Sequence, residues 1–184
     1  RAAGWLAEYD GEEPFFHMVS FCSPHPPHDA YESARDKIDE SRIELPVEGE
    51  KNHTSITPEN WLRARAAYLA DINIVDENIG KVLDVLEERG WLEDTVIIFT
   101  SDHGTMLGDL GKGAKCWWED PSVHVPMFVY YKPWEEHARM AGDTMVSNHD
   151  VTATILECAA GDDRAEEFLP GCTSRSLVPF IREE

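Results

Sequence analysis

The stretch Asp94-Thr95-Val96-Ile97-Ile98-Phe99-Thr100-Ser101-Asp102-His103-Gly104 decides the fold. Val96 to Thr100 is a β-branched and aromatic run too continuous for a strand with one wet face. It predicts a strand buried on both faces, as in a parallel sheet. The run stops at an acid, an imidazole and a glycine. In open α/β sheets functional groups gather at the carboxyl ends of strands, where the loops diverge and leave a crevice. A carboxylate and an imidazole on one tight turn are suitable ligands for a divalent cation. The plainer alternative is that Asp102 caps the following turn and His103 is simply exposed.

Upstream of this strand, Thr57-Pro58-Glu59-Asn60 reads as a helix start, with Thr as N-cap, Pro at the first helical position and an acid in the first turn. Leu69, Ile72, Val75, Ile79, Val82, Leu83 and Leu86 then recur at spacings of three and four, and Asp71, Asp84, Glu87 and Glu88 fall largely on the opposite face. The pattern predicts one long amphipathic helix that ends near Arg89-Gly90. Still earlier, Phe15 to Phe21 has the length and apolarity of a strand, ended by Ser23-Pro24-His25-Pro26-Pro27-His28. Residues 28–56 are polar and irregular and read as a surface excursion, placed to overhang an active site.

Downstream, a glycine-containing loop runs to Lys115, and Val125 to Tyr131 predicts a further strand. A short strand at Met145 to Ser147, a helix at Asp150 to Ala160 and a short closing helix at Ser174 to Ile181 complete the reading. Strand, helix, strand, strand, helix is an α/β layered sheet. Two more residues could carry chemistry. Lys115 precedes Cys116-Trp117-Trp118, and an ammonium beside aromatic bulk can clamp an anion, although an ordinary surface lysine reads the same way. His25, held between two prolines, can serve as an acid or as a donor to an oxyanion, or be incidental to a proline-rich turn.

The chain has 184 residues, a formal net charge of −20, a pI near 4.6 and 42% hydrophobic residues. That apolar content supports a packed core rather than disorder. The acidity argues against nucleic acid as a partner, which needs clustered Lys and Arg. No apolar run reaches the ~18 to 20 residues of a membrane span, so no membrane partner is expected, nor is the N-terminal Arg1 to Glu8 expected to be a signal peptide. Cys22, Cys116, Cys158 and Cys172 are too few and too scattered for a disulfide scaffold or a zinc ribbon.

In order along the chain, these motifs resemble the sulfatase family of the alkaline-phosphatase superfamily. Pro14-Phe15-Phe16 through Ser20-Phe21 with Pro24-His25-Pro26-Pro27 is similar to the family's PFF…S…PHxP strand and loop. Tyr68 to Gly80 is similar to its long helix. Asp94 to Gly104 with Leu107-Gly108, Lys115, Ser122 and Val125-Pro126 is the most specific block, and Asp150, Thr154, Gly171 and Ser176-Leu177 match the closing helix and tail.

The resemblance implies an alkaline-phosphatase-like α/β fold, a layered sheet with helices on both faces. It implies that Asp102 and His103 are two ligands of one divalent cation, calcium first, with magnesium or manganese as alternatives. Lys115 would contact a sulfate oxygen, and His25 the sulfate or the leaving group. The implied reaction is metal-dependent hydrolysis of a sulfated small molecule or sugar. A phosphodiester or phosphonate monoester hydrolase, which the Asp102-His103 pair suits, is the alternative within the superfamily. A non-catalytic acidic binding module is the alternative outside it.

The departures are equally specific. Asp120 stands where the family usually has Glu, His124 where it has Arg, and Leu110 where a His is often present, so no role passes to these positions. The family's C/S-x-P-S-R signature, whose first residue becomes formylglycine, is missing, as are the early metal-binding aspartates. Cys172-Thr173-Ser174-Arg175 has no proline and lies in the closing segment. The expectation is therefore that residues 1–184 form the C-terminal part of a sulfatase catalytic domain whose N-terminal part is absent, and that formylglycine lies upstream. The isolated chain is expected to be inactive and to show exposed apolar edges. The resemblance alone leans towards export, periplasmic or extracellular, over the cytoplasm.

Overall fold

The computed structural model describes residues 1–51, 53–137, 144–161, 165–168 and 170–182. The chain divides into two compact units, one of residues 1–91 and 103–124, the other of 92–102 and 125–184.

The first unit is built on α3 (Pro58–Glu88). The Thr57 hydroxyl accepts from the Asn60 amide, with Pro58 at the helix start, and Gly90 follows the helix with φ +70°, as the sequence grammar requires. Two short helices pack on it, α1 (Ala2–Glu8) and α2 (Glu32–Arg35). Ala34 of α2 and Ala70 of α3, with Ala30 just before α2, form one buried cluster flanked by Ile38 and Ile74, and methyl-sized side chains let the backbones come close. The 28–56 excursion is thus tied to α3 at its start. Arg89 secures α1 by donating to the Ala7 and Tyr9 carbonyls at 2.8 and 2.7 Å while stacking over Trp91.

The amphipathic reading of α3 needs a correction at one turn. Leu69 and Ile72, assigned to the buried face, are each 39% exposed, whereas Asp71, assigned to the wet face, is 2% exposed. The reversal has a partner: Nδ1 of His28 lies 2.7 Å from the Asp71 carboxylate. A charge is tolerated inside when it is paired, and the excursion brings the pairing group over that turn.

The second unit holds β1 (Ile97–Thr100) and β2 (Met127–Tyr130). They pair antiparallel, from Ile97↔Tyr130 to Thr100↔Met127, with Phe99 and Phe128 stacked 5.0 Å apart. The parallel pairing expected for this run is not what β1 makes with β2. The intervening segment contains only a 3₁₀ turn (Asp109–Gly111) and a four-residue helix, α4 (Asp120–Val123), and brings the chain back to the same end of the ladder. A parallel return requires a crossover, usually a full helix. All four β1 residues are partly buried rather than fully so.

The helices of this unit are α5 (Asn148–Ala160), α6 (Ala165–Phe168) and α7 (Val178–Arg182). The expected strands at 15–21 and 145–147 are not strands. An apolar run supplies only a preference, and no ladder partner for either segment exists among the described residues. Phe16 and Met18 are accordingly 70% and 79% exposed.

Candidate active site

Asp102 follows β1, and its approach is fixed by α5. Asn148, the first residue of α5, accepts from the Thr100 hydroxyl and donates to the Ser101 carbonyl, both at 2.7 Å. One amide therefore holds the last two residues before the acid. Asp102 itself is exposed, with the Ser101 hydroxyl 3.4 Å from its carboxylate.

His103 opens the loop of the first unit and is partly buried. Its Nδ1 lies 2.8 Å from the Gly104 carbonyl. A carbonyl only accepts, so Nδ1 carries a proton, and Nε2 is the nitrogen through which this ring would ligate a metal. That is the arrangement of a metal-ligating histidine whose other nitrogen is anchored to backbone. Gly104 is required beside it: its amide donates to the Ser122 carbonyl at 2.8 Å, and a Cβ there would run into the Pro121 carbonyl oxygen.

The loop is braced by Arg65 on α3, which donates to the Leu107 carbonyl at 3.0 Å, the Glu44 carbonyl at 3.2 Å and the Asp109 carboxylate at 2.6 Å. Asp109 also accepts from the Val47 amide. Sequence reasoning finds neither this brace nor Asn148. For the brace, the one available signal is an arginine placed on α3 a single turn before Leu69, with an acid waiting in a glycine-containing loop. An open cleft of about 570 Å³ runs beside it, with Arg42, Tyr68 and Leu107 among its walls.

Two lysines lie in this loop and only one is committed. Lys112 pairs with Glu119 and lies 4.4 Å over the Trp117 ring, and its hydrogen bond holds the Glu119 carboxyl below its ordinary range. Lys115 is exposed and makes no hydrogen bond or ion pair among the described residues. It is flanked by Ala114 at φ +56° and Cys116 at φ +70°. Each left-handed non-glycine residue costs roughly 1 kcal/mol, and such strain concentrates at functional positions.

His25 is exposed in the proline-rich turn, ninety positions before Lys115 in the numbering. Its amide donates to the Cys22 carbonyl at 3.0 Å and its Nδ1 to the Pro26 carbonyl at 2.8 Å. The same tautomer argument leaves Nε2 for a substrate. Among the described residues no hydrogen bond joins His25 to Lys115. Asp102 and His103 are consecutive, and a carboxylate with an imidazole Nε2 suits a divalent cation. Among the described residues no group of three or more His, Cys, Asp or Glu side chains could hold a metal ion.

The fold is alkaline-phosphatase-like. A phosphonate monoester hydrolase from Silicibacter pomeroyi superposes with a TM-score of 0.79 at 24% identity, covering 100% of this chain and 40% of that one. A model of the sulfatase family matches residues 1–161, and the chain belongs to that family. It is 31% identical to a choline-sulfatase from Rhizobium meliloti, over 94% of this chain and 36% of the relative. It is 30% identical to a multifunctional alkaline phosphatase superfamily protein from Trinickia caryophylli, over 100% and 40%. The chain thus spans about two fifths of the length of these relatives.

Proposed function

We propose that the intact enzyme hydrolyses sulfate esters of a small molecule or sugar, with Lys115 and His25 on the substrate and Asp102 and His103 as two ligands of a divalent cation, calcium first and magnesium or manganese as alternatives. The observation that carries this reading is the uncommitted lysine of the loop. In a chain of net charge −20, Lys115 is held out on a strained backbone while its neighbour Lys112 is paired. An anionic ester needs such a point charge to approach.

The cation would add positive charge at the ester's peripheral oxygens, and a formylglycine upstream of this chain would supply the nucleophile. The residues present do the rest. The Lys115 ammonium holds a sulfate oxygen as charge redistributes. His25 keeps its Nδ1 proton on the Pro26 carbonyl, so a protonated ring delivers its second proton from Nε2 to the departing alkoxide. His103 anchors its own Nδ1 on Gly104 and would ligate the cation through Nε2.

The phosphonate or phosphodiester alternative is kept because the carboxylate–imidazole pair suits it equally. Turnover of an aryl sulfate, a phosphonate monoester and a phosphodiester by the intact enzyme separates the two. Preference for the sulfate supports the proposal, and preference for either phosphorus ester replaces it. A protein that turns over none of them, and keeps its function in Lys115→Ala and His25→Ala variants, is a binding module instead. The 184-residue chain alone is expected to hydrolyse no aryl sulfate. Turnover by it would overturn the assignment of the nucleophile to an upstream segment.

A further inference from the structure

The second unit contains a thiol–imidazole pair that the proposed hydrolysis does not use. Cys172 Sγ lies 3.5 Å from Nε2 of His149 and 3.1 Å from the Ser174 hydroxyl. The two partners come from different segments, the second residue of α5 and the closing loop. That loop is fixed on α5 by the Arg175 amide, which donates to Asp150 at 2.9 Å, and by the Leu177 amide, which donates to Thr154 at 2.9 Å. The sulfur is exposed.

We propose that Cys172, paired with His149, is a nucleophilic thiol and the preferred site of covalent modification of this chain by alkylating electrophiles and hydroperoxides. A thiolate can only accept, so the His149 Nε2–H and the Ser174 hydroxyl both donate to it. The Ser174 hydroxyl, with the Ser174 and Thr173 amides, holds the Cys172 thiol below its ordinary range, whereas desolvation and Glu157 push Cys158 up. An ordinary thiol is only a few per cent thiolate at neutral pH, so a donor cluster raises the reactive fraction. The sulfurs of Cys22 and Cys116, also exposed, have no such donors among the described residues.

With iodoacetamide, the sulfur forms an S–C bond, the C–I bond breaks and iodide leaves with the negative charge. With hydrogen peroxide, the sulfur attacks one oxygen and the O–O bond breaks. The departing hydroxide takes the proton of the His149 imidazolium to become water. The sulfur is oxidised to a sulfenic acid and the peroxide is reduced. This inference does not depend on the proposed hydrolysis.

The test is competitive labelling of the full chain with limiting iodoacetamide at neutral pH, read at each cysteine by peptide mass spectrometry. Cys172 is expected to label about ten-fold faster than Cys22 and Cys116, a gain capped because nucleophilicity falls with thiol basicity. Ser174→Ala should bring it close to their rate, and His149→Gln part of the way. The Cys158 rate in the same spectra reports whether each variant keeps its fold. In urea the four rates should converge. Equal rates in the native chain, a Cys172 rate unchanged in both variants, or a preference that persists in urea would each overturn the proposal.

Discussion

Asp71, in the middle of α3, accepts a 2.7 Å hydrogen bond from Nδ1 of His28, and its side chain is only 3% exposed. The pair joins the helix to the proline-rich turn, since His28 lies three residues beyond His25 in the chain. Tyr68 sets its ring edge-to-face against the same imidazole, 6.0 Å between centroids. Removing one partner strands a buried polar group, so Asp71→Ala and His28→Ala should each cost about 3 kcal/mol in urea denaturation. The double variant should cost clearly less than their sum. Simple additivity would show that the two side chains are not coupled.

Thr154 is fully buried and serves two bonds: its hydroxyl donates to the Asp150 carbonyl at 2.8 Å and accepts from the Leu177 amide. Valine keeps the shape and loses both. Leu177 is itself buried, so its amide would be left without an acceptor, at a cost of about 1–3 kcal/mol. A stability for Thr154→Val equal to wild type would mean that the closing segment finds another acceptor.

Asp150 links pH to this same contact. Desolvation pushes its carboxyl up, but the amides of Arg175 and Ser147 and the Ser147 hydroxyl outweigh it and hold the group below its ordinary 3.8. A carboxyl depressed on folding stabilises above its unfolded value and loses that contribution as pH falls through the folded one. Asp150→Asn should therefore lower the melting temperature near neutrality, with the gap to wild type narrowing below about pH 4. A gap that stays constant down to about pH 2 would disprove the ionic origin.

Lys115 and Lys112 should separate activity from stability. In the intact enzyme, Lys115→Ala is expected to lower kcat/KM by roughly 10²–10³ while leaving the melting temperature unchanged, as for loss of one oxyanion donor. Lys112→Ala removes the partner of Glu119 and the cation over Trp117, and should lower the melting temperature. The opposite assignment of effects would exchange the roles given to the two lysines.

Gly104→Ala tests the loop itself. With the Pro121 carbonyl oxygen inside contact distance of the added carbon, the Gly104–Ser122 bond must open or the loop must shift. Loss of stability of about 2 kcal/mol is expected, within the range for overpacking. A fully stable variant would show the loop to be adaptable at this point.

The sequence is most informative where the chain is locally self-sufficient. Thr57, Pro58 and Gly90 bracket α3 by capping chemistry that needs no tertiary partner, so its start and end are legible. Strand propensity is different in kind. Phe15 to Phe21 and Val96 to Thr100 read alike, but only the second has a ladder, because β2 pairs with its backbone. Asp71 is misplaced by its sequence pattern for a related reason: periodicity reports which residues dislike water and cannot see a histidine delivered from forty-three positions away.

The candidate site residues are marked by residue type, by position after a strand and by family resemblance. Their states are not. The tautomers of His25 and His103 depend on carbonyls positioned by folded turns, and the choice between Lys112 and Lys115 depends on where Glu119 falls. Asn148 is invisible as a clamp because its targets, Thr100 and Ser101, lie far away in sequence.

The antiparallel ladder has a consequence for how the loop between its strands can vary. Thr100 opposite Met127 closes residues 101–126 into a loop anchored at both ends. Closure entropy grows only with the logarithm of length, so doubling such a loop adds about 0.6 kcal/mol. Insertions between the anchors are therefore cheap, while a one-residue slip at Ile97↔Tyr130 would turn every side chain of a strand to the opposite face. Length in this loop is thermodynamically inexpensive to change, and register in the paired residues is not, so diversification of the loop and preservation of its frame can proceed independently.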